Sequence, residues 1–169
     1  MTTGEELQAA IEGMAQSLEL AADGAADAIG DAPQGEGEWS PKQVLMHVLG
    51  PEGATYQQLI QSFIESDNPA MEGAPGTLHT SPDREAATFS DLLTQAVEDH
   101  RSLATYVGGL SDDQLNKVVD APVFAATPWG AKPTVAQIVE FLGDWHVRDH
   151  TASIKMATLT SKSMARVTA

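Results

Sequence analysis

His146 and His150 stand four residues apart in the C-terminal third of the chain. On a helix that spacing places two imidazoles on one face, near enough to chelate a single metal ion. Both continue the apolar stripe of Val135, Val139 and Leu142. Burying imidazoles side by side costs free energy unless each finds a partner, and a shared divalent ion meets that need by binding the neutral forms. Two hydrogen-bonded core histidines, or a solvent-facing pair, fit the same spacing. His47 adds weight to the metal: it lies between Val44 and Val48, on the inward arc of another helix. Three nitrogen ligands with open positions suit zinc, nickel or iron(II), and suit catalysis better than a closed structural site.

The remaining polar candidates are weaker. His100 sits on an apolar stripe and reads as a core histidine, with a fourth ligand as the alternative. His79, in a Gly/Pro-rich segment, reads as solvated. Asp144 and Asp149 flank the histidine pair and are expected to face solvent or to steer an imidazole N–H. Phe124, Trp129 and Trp145 are candidates for an apolar wall beside the site. No glycine-rich phosphate loop follows a strand, and no serine has a nucleophile-elbow context.

Composition narrows the chemistry further. The 169 residues contain no Cys, which excludes disulfides, zinc-thiolate sites, iron–sulfur clusters and a cysteine nucleophile. Any thiol in a reaction therefore comes from outside the chain. A formal charge of −15 argues against nucleic acid and anionic lipid as partners, since both need clustered Lys and Arg. Residues 1–41 hold no Lys or Arg and read as a solvated acidic face. The first residues lack the pattern of a signal peptide and no run is long enough to span a bilayer, so a cytoplasmic protein is expected.

Four amphipathic helices must position these side chains. The first opens at Thr3 with Glu6 completing a capping box, and its stripe runs Leu7, Ile11, Met14 or Ala15, Leu18 and Ala22, predicting an end near Ile29. The second has Ser40 as N-cap, Pro41 in the first turn and Gln43 closing the box, with Trp39 and Val44 as a hydrophobic staple. Its stripe continues to Ile64, but Gly50-Pro51 predicts a kink or a break. Ser81-Pro82 can open a short helix, and the third long helix runs from about Ser90 to Val107. A capped turn begins at Ser111, and residues 118–133 read as an apolar-rich loop with a short strand pair. The fourth helix opens at Thr134 with Gln137 and carries both His146 and His150. One domain is expected over residues 1–160, with 161–169 as a fraying tail.

These segments resemble a known family. EWSPKQVLMHVLG, with His47, is similar to the second helix of the DinB/YfiT-like superfamily, and PTVAQIVEFLGDWHVRDHTASI, with His146 and His150, to its last helix; LSDDQL resembles the short turn before it. The resemblance implies an all-α four-helix bundle in up-down-down-up order, a metal site at His47, His146 and His150, and a homodimer. It further implies a small-molecule substrate and, by analogy with thiol-dependent S-transferases, a low-molecular-weight thiol cosubstrate. The maleylpyruvate isomerase branch uses a carboxylate as one ligand, so three histidines point away from it. Two functional readings follow: a metal-dependent enzyme activating a thiol or water, or a non-catalytic metal- or ligand-binding dimeric bundle.

Overall fold

A computed structural model describes residues 2–23, 30–31, 37–71 and 76–167, with 161–167 as backbone. Helices account for almost all of its regular structure. They are α1 (Gly4–Ala21), α2 (Pro41–Val48), α3 (Tyr56–Glu65), α4 (Pro82–Ala86), α5 (Phe89–Gly108), α6 (Asp112–Leu115), α7 (Val135–Glu140) and α8 (His146–Val167). A π-helical turn, Phe141–Trp145, joins α7 to α8 into one continuous arm. The bundle thus has four arms: α1, the broken pair α2–α3, α5, and α7–α8.

Local chemistry explains the helix starts. Thr3, Ser40, Thr55, Thr88, Ser111 and Thr134 each accept the backbone N–H three residues on, while the side chain there bonds back to the cap. Each such box satisfies two donors that the first turn leaves open. Ser81 caps α4 by accepting the Arg84 N–H with its side chain. The boxes at Thr55 and Thr88 are absent from the sequence reading, which expects a kink or break at Gly50-Pro51 without a new cap and starts the third helix at about Ser90.

The order of the arms follows from two apolar clusters. One gathers Met14, Leu18 and Ala22 of α1, Val44–Leu49 of the second arm, Phe89–Val97 of α5, and Val147 and Ile154 of α8. The other gathers Leu7 and Ile11, then Ile60 and Phe63, Leu103–Val107, and Val135–Leu142. The first cluster therefore holds the end of α1, the starts of the second and third arms, and the far part of the fourth. That is up-down-down-up, as the resemblance implied. The long connection 66–88 lets the second and third arms run parallel.

Three expectations change. Helix α1 stops at Ala21 rather than near Ile29, because its buried stripe ends there and Asp23 favours turn over helix; Ile29 itself lies outside the described residues. No strand pair forms among the described residues of 118–133: isolated bridges join Ala70 to Asp120 and Val118 to Thr134, and Pro122 opens a 3₁₀ turn where a ladder would need an N–H. Helix α8 continues to Val167 instead of giving way to a separate tail at 161. No described helix is long and apolar enough to cross a membrane.

Candidate metal centre

Three histidines from two arms meet where the two apolar clusters adjoin. His47 lies in the last turn of α2, His146 opens α8 directly after the π turn, and His150 follows one turn later. Ring centroids are 4.8 Å apart for His47–His146, 4.9 Å for His47–His150 and 4.7 Å for His146–His150. Each ring offers one nitrogen, and the three lie within 4.8 Å of one another. The Nε2 atoms of His47 and His146 are 2.8 Å apart.

The second nitrogen of His47 fixes its tautomer. Nδ1 donates to the Thr77 carbonyl at 2.6 Å, which in the neutral ring leaves the Nε2 lone pair directed toward His146. Trp39 packs at 4.7 Å from the His47 ring and 6.4 Å from His150, bracing both from one side. His146 lies parallel to the Phe141 ring at 5.6 Å, and its Nδ1 is buried without a hydrogen-bond partner. Burial, then the imidazoles of His150, His47 and His100, push His146 down to about 3. His150 is lowered by burial and by His47, against an opposing pull from Asp149. The lowering at His146 and His150 favours the neutral imidazole, the form in which histidine binds a divalent cation.

The other candidates sort clearly. His100 is 1 % exposed and donates from Nδ1 to the Ala96 carbonyl at 2.7 Å, while Nε2 makes no hydrogen bond. It belongs to the core and stands outside the histidine trio, as the first of its two readings held. His79 departs from expectation: it is half-buried, stacked parallel to His47 at 6.5 Å, and lines the cavity beside the trio. Thr77 and His79 lie against the bundle here, which composition alone does not reveal. Asp144 pairs with Arg148, and Asp149 is exposed. Phe124 is buried and borders the cavity, whereas Trp145 is 53 % exposed, packs beside Trp129 at 5.8 Å and does not line the cavity.

Arg84 was missed altogether. It is 5 % exposed and donates to the carbonyls of Met46, Gly50 and His79. The break after α2 leaves carbonyls without helical partners, and buried backbone groups must be paired. The Gly-Pro signal announces that need but not the donor. Lys117 plays the matching part at the end of α3, reaching the carbonyls of Ile64 and Ser66.

The trio opens onto a cavity of about 850 Å³ that runs past Tyr56, Leu59, Met71, Phe124 and Phe141. That is ample for a small-molecule substrate next to three nitrogen donors.

Comparison with known proteins agrees with this architecture. No curated protein matches the sequence. The solved structure of YfiT from Bacillus subtilis, described as "a probable metal-dependent hydrolase with an unusual four-helix bundle topology", superposes with a TM-score of 0.74 at 18 % identity. The match covers 94 % of this chain and 87 % of that one, and at such identity it speaks for the fold. The sequence profile of the DinB superfamily matches residues 10–154. The chain belongs to the DinB superfamily.

Proposed function

We propose that this protein is a metal-dependent enzyme whose divalent ion (zinc, nickel or iron) is held by His47, His146 and His150. The observation that carries this reading is the convergence of three imidazoles, one nitrogen from each within 4.8 Å of the others, at the wall of a substrate-sized cavity. The chemistry such an ion supplies is Lewis acidity, which lowers the pKa of a low-molecular-weight thiol or of water. The thiol is external, since the chain has no cysteine. The description of YfiT as a probable hydrolase supports water as the nucleophile, and the S-transferase resemblance supports the thiol. The family resemblance adds a homodimer, and the cytoplasmic setting expected from the sequence belongs to the same proposal.

The chain's own residues have defined tasks. Thr77, through its carbonyl, holds the His47 ring with its Nε2 lone pair available. Trp39 limits ring rotation of His47 and His150. Burial keeps His146 unprotonated at neutral pH, so no proton competes for its nitrogen.

The test is metal content and turnover. Protein purified without a polyhistidine tag should bind one zinc, nickel or iron(II) per chain, and His47→Ala or His146→Ala should reduce this to substoichiometric levels. Metal binding that is absent, or unaffected by either substitution, overturns the site. Bacillithiol, mycothiol and glutathione paired with chlorinated electrophiles, and simple esters for hydrolysis, then test catalysis. Metal-dependent turnover supports the enzyme; stoichiometric metal with no turnover across the panel favours a binding module.

A further inference from the structure

The cavity beside the histidines has an unusual wall for so charged a protein. Among the described residues that line it there is no Asp, Glu, Lys or Arg, in a chain of which 20 % is charged. Its polar groups are histidine rings, the Trp39 indole, the Tyr56 phenol and three threonines. Burial, with the nearby Asp99 carboxylate, raises the Tyr56 phenol above its usual value, so it too is uncharged at neutral pH. The remainder is aliphatic and aromatic.

The aromatic part connects to the histidines through measured contacts. His146 stacks on Phe141 at 5.6 Å, and Phe141 meets Phe124 edge-on at 5.1 Å. Trp129 backs both rings, at 5.9 Å from each. A flat, apolar body lying along Phe141 and Phe124 would thus present one end to the imidazoles.

We infer that the cavity selects an uncharged molecule with an aromatic-sized apolar body and a single electron-donating headgroup directed at the histidines. Placing the headgroup rests on the proposed metal site; the selection for an uncharged body rests on the cavity wall alone. An ionised substituent on that body would lose water against a wall whose described residues carry no Asp, Glu, Lys or Arg to pair with it, which disfavours its entry. The protein's −15 charge, by contrast, would repel anions and attract cations everywhere on its surface. The two effects separate when both charge signs are tried.

The experiment titrates 2-naphthol, its 6-carboxylate and its 6-aminomethyl analogue into metal-free and zinc-loaded protein, with binding read from Trp fluorescence and NMR shifts. Expected is binding of 2-naphthol at least tenfold tighter than either charged analogue, in the metal-free protein as well. Ala126→Glu, which places a carboxylate on the cavity wall at an exposed position, should weaken 2-naphthol at least tenfold. Tightest binding of the ammonium analogue, equal binding of all three, or indifference to Ala126→Glu overturns the inference. Zinc stoichiometry is measured separately, so a failed metal site and a failed cavity preference give different results.

Discussion

The two arms that carry the histidines both abandon the α-helix beside the site, and they do so in opposite ways. The second arm is cut between Val48 and Tyr56. The fourth stays continuous but widens into the turn Phe141–Trp145, where the His146 N–H bonds the Phe141 carbonyl five residues back. Both irregular stretches line the cavity, through Gly50 and Pro51 on one side and Phe141 and Leu142 on the other. A cut helix releases carbonyls that something distant must satisfy. A π turn keeps its hydrogen bonds within the arm and requires only room for an extra residue. The broken arm therefore depends on polar reach from elsewhere, and the continuous arm on close packing.

The largest effect should come from removing the reach. Arg84→Met leaves the carbonyls of Met46, Gly50 and His79 buried without their donor, and should cost about 3–5 kcal/mol in chemical denaturation. Lys117→Met, at the better solvated end of α3, should cost about 1 kcal/mol because water can replace its ammonium. Equal losses at the two positions would mean that burial of the cap does not matter, and the contrast would fail.

Packing on the fourth arm is tested at Gly143. A Cβ there would lie 2.6 Å from Ile11 Cγ1, so the turn can approach α1 this closely only without a side chain. Gly143→Ala should destabilise by ~2 kcal/mol, and should cost less in an Ile11→Ala background, where Cγ1 is gone. Strict additivity of the two substitutions would show that the clash is relieved elsewhere.

The same contrast explains what the sequence disclosed. The cut was legible because Gly50-Pro51 is a local signal with a local cause, and Ser40 with Gln43 marked the start of α2 on the same grounds. His146 and His150 were legible because i,i+4 spacing survives whether or not a π turn precedes it. The π turn itself has no such signal: FLGDW contains nothing that a regular helix would refuse. Arg84 and His79 were hidden for another reason, since both act across the fold on groups dozens of residues away. A capping box at Thr55 was present in the residues but masked by the apolar stripe running past it.

A smaller effect is proton linkage in the metal-free protein. His146 sits at about 3 in the fold, against roughly 6.5 for an unfolded histidine. Between those values the unfolded chain binds the proton more readily. Stability is therefore full above about pH 6.5 and falls as the pH drops toward 3, by at most ~1.4 kcal/mol per unit for one histidine. His150 and His100, lowered mainly by burial, add to it with the same sign. Denaturation curves at pH 7, 6 and 5 should show the decline, and His146→Gln should make it shallower. An unchanged slope in that variant would place the linked proton elsewhere.

The smallest expected effect bears on what cuts the second arm. Three features coincide there: Gly50 adopts φ +68°, Pro51 lacks an N–H, and Thr55 caps a new helix through Gln58. Pro51 is exposed and fills no gap in the core. Replacing it by alanine leaves the left-handed glycine and the capping box in place, so the break should persist. Pro51→Ala should then cost only about 0.5–1 kcal/mol, the entropy the proline removes from the unfolded chain, with metal stoichiometry unchanged. Gly50→Ala should cost more, about 1–2 kcal/mol, because a Cβ is strained at that φ. If instead Pro51→Ala raised the helix content and released the metal, the proline alone would be cutting the arm. The position of His47 would then depend on one missing hydrogen-bond donor rather than on the turn as a whole.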